Sequence, residues 1–315
     1  MTRKILVSDS LSEDGIAVLR TAGEVTVNPK ITADELLTAL PAYHALVVRS
    51  RTKVTARVVE AGTNLKVIGR AGVGVDNIDV AAAIARGVTV VNSPLAASVA
   101  VAEHTLGLML ALARQIPAAD ASMKQGKWEK SAFMGSELSG KTLGLLGIGR
   151  IGAEVARRAE AFGMMVLAYD PYLTTEEIRA RRAVPAAFDK VIAKSDYISL
   201  HLPLTVETRG LIGPEQFAMM KPGARLICAA RGGVVDEDAL RAALDSGILA
   251  GAALDVFAAE PPPPGSIAAH PKVIATPHIG AQTIEAQSSA GLMTAEEVLA
   301  VLRGQEPRWR VTSNE

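Results

Sequence analysis

TLGLLGIGRIG, at residues 142–152, joins an apolar run to a Gly-x-Gly-x-x-Gly turn, and an amphipathic stretch follows at residues 153–162. The pattern predicts a strand, a tight turn and a helix in one unit. Gly147 permits the turn, Gly149 lets the backbone approach a pyrophosphate, and Gly152 lets the helix pack against the strand. The N-terminus of the helix would then face the phosphates of a dinucleotide.

A lone acid, Asp170, ends the next apolar run, at about the 20-residue spacing from the turn at which a carboxylate accepts hydrogen bonds from the adenosine ribose. Its negative charge would repel a 2′-phosphate, and the residues that follow it, Pro171 and Tyr172, include no arginine to bind one. The sequence therefore predicts NAD rather than NADP. A second glycine-rich stretch, residues 72–77, lacks the third glycine and does not predict a dinucleotide site.

The composition favours an α/β protein with a small-molecule ligand. At 315 residues the chain suits two domains. Hydrophobic residues make up 49% and aromatic residues 3%, so the cores should consist of Ala, Val, Leu and Ile, as in buried parallel sheets. Lys and Arg together number 33, as do Asp and Glu, so no basic field predicts binding to nucleic acid or to a membrane.

The cysteine content and the N-terminal sequence indicate a cytoplasmic protein. Cys228 has no second cysteine with which to form an internal disulfide, and it lies in an apolar run where a buried, inert thiol is expected. The apolar stretch near the N-terminus is too short for a signal peptide, and no segment has the length of a membrane span.

Short apolar runs alternate with helix-like stretches in the first 91 residues and again from residue 142, which predicts two doubly wound parallel sheets. The last helix, residues 283–303, has no strand after it, so we assign it to the first domain. The prediction is a flavodoxin-like substrate domain, residues 1–96 and 284–315, into which a Rossmann-type NAD domain, residues 97–283, is inserted. The two crossings between the domains would form a hinge.

A helical pattern rich in Ala, Leu and Met, residues 98–127, is broken near Pro117 and followed by a polar stretch, residues 125–140, that has little periodicity. A helix this apolar beside an irregular segment needs a surface to cover it, and a second copy of the chain would provide one. We therefore predict a dimerisation arm at about residues 98–140 and a homodimer or larger homo-oligomer.

Three residues that could carry chemistry follow three predicted strands of the second sheet. They are Arg231, Glu260 and His278. Ligands of open parallel sheets bind beyond the carboxyl ends of the strands, so these side chains should meet at one edge. A guanidinium can hold a substrate carboxylate and polarise a carbonyl, and an imidazole can exchange a proton with the alcohol. A carboxylate on the far ring nitrogen would orient that imidazole. The set predicts oxidation or reduction beside a carboxylate.

Each of the three residues, taken alone, also has an ordinary structural interpretation, as a surface ion-pair member or a capping side chain. The other histidines are less well placed for catalysis. His44 and His270 lie in polar loops, and His104 lies in the apolar helix, where a core or interface role is expected. His201 also ends a predicted strand and is the second choice for a ligand contact.

Five motifs in chain order resemble those of the D-isomer-specific 2-hydroxyacid dehydrogenases, and the resemblance covers almost the whole chain. They are LGIGRIG at 146–152, HLPLT at 201–205, ARGGVVD at 230–236, ALDVF at 253–257 and TPHIG at 276–280. The resemblance implies that Arg231 binds and polarises the substrate, that Glu260 supports the histidine, and that His278 is the proton donor. No metal enters this assignment.

The resemblance also implies a set of cofactor contacts. The residues expected to contact NAD are Val73, Gly147, Gly149, Arg150, Ile151, Gly152, Asp170, His201, Leu202, Pro203, Ala229, Ala230, Arg231, Asp255, His278, Ile279, Gly280 and Ala281. The backbone amides of Gly72, Val73 and Gly74 would receive the substrate carboxylate. Leu202 stands where threonine is common in the family, so the resemblance implies no hydroxyl contact from this position.

Further stretches, including residues 48–55, 70–79 and 112–117, resemble the branch of the family that oxidises D-3-phosphoglycerate to 3-phosphohydroxypyruvate in serine biosynthesis. A phosphorylated substrate needs cations, and Arg49, Arg51 and Lys130 are the candidates. Many members of that branch continue into serine-sensing domains, so for this sequence we expect no feedback through such a domain. The alternatives are a glyoxylate or hydroxypyruvate reductase and a non-catalytic, NAD-sensing scaffold or corepressor.

Overall fold

Parallel strands and α-helices alternate along residues 2–312, the part of the chain that the computed structural model describes. The strands are β1 (Arg3–Val7), β2 (Gly23–Val27), β3 (Ala45–Val48), β4 (Val67–Arg70), β5 (Thr89–Val91), β6 (Thr142–Leu146), β7 (Met165–Tyr169), β8 (Val184–Pro185), β9 (Tyr197–Leu200), β10 (Ala224–Cys228), β11 (Leu249–Leu254) and β12 (Val273–Ala275). The helices are α1 (Glu13–Arg20), α2 (Ala33–Ala39), α3 (Ala56–Ala61), α4 (Val80–Ala85), α5 (Ser98–Arg114), α6 (Ile116–Lys124), α7 (Arg150–Ala161), α8 (Thr175–Ala180), α9 (Phe188–Lys194), α10 (Pro214–Met219), α11 (Glu237–Asp245) and α12 (Ile284–Leu302). Short 3₁₀ helices lie at Leu40–Ala42, Lys130–Phe133 and Ile267–Ala269.

The chain divides into two compact units. Unit 1 comprises the described residues of Met1–Ser98 and Ala281–Glu315, and unit 2 is Val99–Gly280. Each unit holds one parallel sheet with helices on its faces, so the predicted α/β class with two doubly wound sheets is confirmed. No helix among residues 2–312 combines the length and the apolar character needed to cross a membrane.

The sheet of unit 1 has the strand order β2-β1-β3-β4-β5, with all pairs parallel, which is the flavodoxin-like order. Apolar clusters cover both of its faces, as parallel sheets require. Helix α12 belongs to this unit and crosses α1 closely, because Gly15 and Gly291 meet without room for a Cβ between them. Thr32 and Glu35 form a capping box at the start of α2, where each side chain accepts a hydrogen bond from the backbone amide of the other residue.

The sheet of unit 2 has the order β12-β11-β10-β9-β6-β7-β8, again all parallel. Its order reverses between β6 and β9, and open sheets bind ligands at such a switch point. The glycine turn follows β6, so it lies at this point. The two-residue strand β8 was not predicted, because a pair that includes Pro185 carries no periodic signal.

The predicted long helix is two helices. The break lies at Gln115, whose φ of 53° is left-handed, and Pro117 then occupies the first turn of α6, where a missing N–H costs nothing. The polar stretch that follows contains only one short 3₁₀ helix, Lys130–Phe133. Several large apolar side chains in this region are exposed, among them Trp128 and Met134.

Candidate active site

The glycine turn after β6 has one position that is open to a ligand. A Cβ on Gly147, whose φ is 84°, would overlap the carbonyl oxygen of His201, and a Cβ on Gly152 would lie 2.5 Å from the carbonyl oxygen of Gly147. Packing alone therefore requires both glycines. A Cβ on Gly149 would meet nothing within 4 Å, and Gly149 precedes α7, whose first turn has no side-chain cap. The uncapped amides and the open space fit a pyrophosphate.

Replacing Gly149 with alanine tests whether this glycine is needed for cofactor binding rather than for packing. Because a Cβ there is accommodated by the protein, Gly149→Ala should change the melting temperature by less than about 2 °C. The same Cβ would occupy space that a pyrophosphate needs, so the Kd for NAD should rise by about tenfold or more. Differential scanning calorimetry and fluorescence titration measure the two quantities. Unchanged NAD affinity would show that the cofactor does not approach this position.

Asp170 lies just beyond the carboxyl end of β7, beside the glycine turn. Its Oδ2 accepts a hydrogen bond from the amide of Ile148 at 3.0 Å, and its Oδ1 accepts one from the amide of Tyr172 at 3.1 Å. Each carboxylate oxygen keeps a lone pair for a further donor. The carboxylate is therefore held in a fixed position with acceptors available for a pair of ribose hydroxyls.

Arg231, Glu260 and His278 follow the neighbouring strands β10, β11 and β12. The register pairs Cys228 with Leu254 and Leu254 with Ala275, so the three strands end at one level. Two strand spacings separate β10 from β12, or ~10 Å. The loop after Arg231 also packs directly against the next one, because Gly232 lies against the peptide between Phe257 and Ala258. The sheet therefore brings the three loops together at one edge.

Glu260 and His278 form a hydrogen-bonded pair. The Oε2 atom of Glu260 lies 2.9 Å from Nδ1 of His278, and its Oε1 atom accepts the amide of Phe257 at 3.2 Å. An ionised carboxylate only accepts, so the proton of the neutral imidazole belongs on Nδ1, which leaves Nε2 as the acceptor. The side chain of His278 is 49% exposed and that of Glu260 is 39% exposed, so solvent and substrate can reach them. The pair can exchange a proton with a ligand through Nε2.

The loop that carries His278 is fixed by Asp255. This carboxylate is 1% exposed. It accepts hydrogen bonds from the Thr276 hydroxyl at 2.6 Å and from the amides of Ile279 and Gly280, both at 2.8 Å. Burial alone would raise the pKa of Asp255, but hydrogen bonds from His104, Thr276 and the backbone lower it overall. The ionised side chain thus holds the loop in which His278 has a left-handed φ of 54°.

The structure gives the other histidines different environments. His201 donates to or accepts from Ser199 Oγ at 2.9 Å, and burial lowers its pKa to about 4, so it is neutral at pH 7. Nε2 of His104 lies 3.1 Å from Thr276 Oγ1 and 3.4 Å from Asp255 Oδ1, so His104 contacts the residues that hold the loop of His278. His44 accepts the amide of Lys4, and His270 pairs with Asp245.

The remaining predicted contacts in unit 2 lie close to these loops. Arg150 and Ile151 open α7, and Leu202 and Pro203 follow His201 in the loop after β9. Ala229 and Ala230 lead from β10 into Arg231, whose Nη1 donates to the carbonyl of Ala230 at 2.7 Å. Burial raises the pKa of the Cys228 thiol to about 11, which agrees with the expected inert thiol. Lys130 is exposed in its 3₁₀ helix.

In unit 1, the predicted substrate residues follow β3 and β4. The amide of Gly72 donates to Ser93 Oγ at 2.6 Å, so the predicted carboxylate contact rests on the amides of Val73 and Gly74. Arg49 and Arg51 lie in the segment after β3. Ala281, a predicted cofactor contact, begins the second stretch of this unit.

Two residues of unit 1 were missed by the sequence reasoning. They are Asp9, which follows β1 and is 4% exposed, and Asn77, which ends the second glycine-rich stretch. Both bind the segment that carries Arg49 and Arg51. Two signals for them were present in the sequence, since Asp9 directly follows an apolar strand and Asn77 follows a glycine-rich turn. The residues that they bind, however, are distant in sequence.

Comparisons with known proteins give a consistent result. Residues 106–280 match the model of the D-isomer specific 2-hydroxyacid dehydrogenase, NAD binding domain. The chain is 52% identical to the D-3-phosphoglycerate dehydrogenase of Methanocaldococcus jannaschii over 304 residues, which are 96% of this chain and 58% of that protein. The chain thus spans less than two thirds of the length of this curated relative.

Two solved structures match over nearly their whole lengths. A protein from Thermus thermophilus is 37% identical with a TM-score of 0.89, and the match covers 98% of this chain and 100% of that one. A glyoxylate reductase from Paecilomyes thermophila is 30% identical with a TM-score of 0.91, and the match covers 100% of this chain and 99% of that one.

Proposed function

The chain belongs to the D-isomer-specific 2-hydroxyacid dehydrogenase family, and we propose that it oxidises D-3-phosphoglycerate to 3-phosphohydroxypyruvate with NAD. The observation that carries the reaction type is the Glu260–His278 pair at 2.9 Å, at the strand edge to which Arg231 also belongs. The substrate is supported by the identity to D-3-phosphoglycerate dehydrogenases, at 46–52% over 96% of this chain.

In the proposed mechanism, His278 is the acid–base residue. Nε2 of the neutral imidazole takes the proton of the substrate's C2 hydroxyl during oxidation and returns it during reduction. Glu260 accepts a hydrogen bond from the Nδ1–H group throughout, which fixes the ring and stabilises the imidazolium that forms. Asp255 keeps the loop in place while the ring changes charge.

Arg231 binds the substrate in this scheme. Its guanidinium holds the carboxylate and polarises the C2 oxygen, and it stays charged at every working pH. Gly149 and the first turn of α7 would hold the pyrophosphate of NAD, and Asp170 would hold the adenosine ribose. When bound, NAD supplies the two-electron acceptor for oxidation of C2.

A substrate comparison tests the proposal. The purified protein is assayed with NADH and either 3-phosphohydroxypyruvate, hydroxypyruvate or glyoxylate, and kcat/KM is measured from loss of reduced-nicotinamide absorbance. We expect a preference for the phosphorylated acid of about 10²-fold, because an extra charge-assisted contact distinguishes it. A higher kcat/KM for hydroxypyruvate or glyoxylate would instead identify a reductase of the kind seen in the structural relative. NAD binding without turnover of any 2-oxo acid would favour a non-catalytic scaffold.

Asp170→Asn should relax the choice of cofactor. The amide keeps the shape of the side chain and one acceptor but removes the charge that repels a 2′-phosphate. We expect the ratio of kcat/KM for NAD over NADP to fall by about tenfold, mainly through better use of NADP. Steady-state kinetics with both cofactors measure the ratio. A ratio equal to that of the wild type would place the ribose elsewhere.

We further infer a cytoplasmic homodimer or larger homo-oligomer. The exposed apolar side chains Trp128 and Met134, together with Lys130 and Ser131, line a cavity of about 450 Å³ in the predicted arm. Exposed apolar surface of this kind is usual where a protein meets a partner. Lys130 remains a proposed substrate or interface cation. Sedimentation equilibrium of the purified chain decides the oligomeric state.

A further inference from the structure

One carboxylate holds both ends of the segment after β3. Asp9 Oδ2 accepts the amides of Arg49 at 2.6 Å and Thr52 at 3.2 Å, and its Oδ1 accepts the Thr52 hydroxyl at 2.7 Å. The side chain of Asp9 is only 4% exposed. Buried carboxylates that accept several hydrogen bonds fix their donors firmly, because leaving such a group unpaired is costly.

The side chain of Asn77 binds backbone carbonyl groups of the same segment. Its Nδ2 donates to the carbonyl oxygen of Arg49 at 2.8 Å and to that of Thr52 at 2.7 Å. Asp9 therefore binds the amides, and Asn77 binds the carbonyls, of the same two residues. Residues 49–52 are held at both ends by two side chains from separate parts of the sequence.

Arg51 uses its guanidinium within this arrangement. Its Nε lies 3.0 Å from Asp9 Oδ1, its Nη1 donates to the carbonyl of Ile31 at 3.1 Å, and its Nη2 donates to the carbonyl of Ser8. All three nitrogens are thus engaged by the protein. A guanidinium binds a phosphate through two parallel N–H groups, and no edge of Arg51 keeps such a pair.

Arg49 is differently placed. Within the described part of the chain, its guanidinium makes one long hydrogen bond, at 3.5 Å to Gln282 Oε1. Burial lowers the pKa of Arg49 and the nearby Asp9 partly offsets this, so the side chain remains charged at neutral pH. Its other N–H groups donate to no described residue, so they remain available as donors to an anion.

We propose that Asp9, Asn77 and Arg51 form a positioning clamp that presents Arg49 to the anionic end of the substrate. The proposal deepens the function proposed above and rests on it. It gives different roles to two arginines that the sequence did not distinguish. Arg49 binds the anion, and Arg51 helps to position Arg49. In this clamp, Asp9 and Asn77 bind the backbone of Arg49 and Thr52. The side chain of Arg51 pairs with Asp9.

Asn77→Asp tests the clamp. The substitution keeps the shape of the side chain but sets an oxygen against two carbonyl oxygens, so the clamp loses its donors. We expect the KM for 3-phosphohydroxypyruvate to rise about tenfold, with kcat and the KM for unphosphorylated hydroxypyruvate within about twofold of the wild type. The matched control is Asn64→Asp, because Asn64 Nδ2 also donates to a backbone carbonyl of unit 1, that of Pro41 at 2.8 Å.

The control separates positioning from stability. Both variants should lower the melting temperature, but only Asn77→Asp should raise the KM for the phosphorylated acid. If both raise it equally, or if neither does, the clamp is a structural feature and the proposal is wrong. Arg49→Gln should raise that KM more than Arg51→Gln, and the reverse order would overturn the division of roles.

Direct binding distinguishes failure of the clamp from failure of the proposed function. 3-Phosphoglycerate and NADH are both reduced, so together they cannot react. Titration calorimetry of the protein with this pair therefore measures the Kd for 3-phosphoglycerate without turnover. Asn77→Asp should weaken this Kd about tenfold whether or not the enzyme turns over. Wild-type protein that binds 3-phosphoglycerate but fails to oxidise it would contradict the proposed function. The ratio of the Kd of Asn77→Asp to that of the wild type would still test the clamp. Wild-type protein that does not bind it would overturn both.

Discussion

Replacing His278 with alanine is expected to reduce kcat by about 10³-fold while leaving the Kd for NAD within about threefold of the wild type. In the proposed mechanism the imidazole carries the proton through Nε2, the ring nitrogen that is not bonded to Glu260. Removing it leaves the C2 hydroxyl without a base. The residues proposed to bind the pyrophosphate and the ribose lie on other loops, after β6 and β7, so cofactor binding should survive. Stopped-flow kinetics and fluorescence titration measure the two quantities.

The matched control for this variant is His44→Ala. His44 makes one hydrogen bond, which it accepts from the amide of Lys4 at 3.0 Å, and it belongs to unit 1, whereas β10 to β12 belong to unit 2. We expect its kcat to equal that of the wild type. A His278→Ala variant with at least a tenth of the wild-type kcat would remove this residue from the mechanism.

Replacing Arg231 with glutamine is expected to reduce kcat/KM for the 2-oxo acid by about 10³-fold. The substitution removes the charge that holds the carboxylate and polarises the C2 oxygen, and a neutral amide cannot make the bidentate pair. The loss should appear in KM as well as in kcat, because the same group binds the substrate and stabilises the developing alkoxide. Steady-state kinetics in the reductive direction separate the two.

Arg225→Gln is the control on the same strand. Arg225 lies at the start of β10, with its guanidinium 5.4 Å from the ring centre of Tyr197, so it is a charged residue of the same element with a structural contact. Its kcat/KM should stay within about threefold of the wild type. Equal losses in the two variants would mean that Arg231 acts through the stability of β10 and not through the substrate.

The local signals in the sequence predicted much of this arrangement. The glycine turn and the strands around it have short-range patterns, and they predicted the position of Gly149 before α7 and of Asp170 after β7. The strand-end rule grouped Arg231, Glu260 and His278, and the structure adds the hydrogen bond that sequence spacing could not supply. These features depend on residues close in sequence or on a general property of parallel sheets.

Contacts between distant residues could not be predicted in the same way. Asp9 binds residues 40 and 43 positions away, and no periodicity encodes that partnership. Arg51 was named as a candidate for the phosphate because a phosphorylated substrate needs cations, and the sequence could not show that its nitrogens face Asp9 and two carbonyl oxygens. The sequence predicted a break near Pro117, and the break between α5 and α6 lies at Gln115, because Pro117 suits the first turn of a helix.

The most direct test of the central claim is a crystal structure of the wild-type protein with NADH and 3-phosphoglycerate. We expect Nε2 of His278 within hydrogen-bond reach of the C2 oxygen, about 2.6–3.2 Å away, with the guanidinium of Arg231 on the substrate carboxylate. Glu260 should remain bonded to Nδ1. An imidazole turned away from the ligand, or a carboxylate bound without Arg231, would contradict the account.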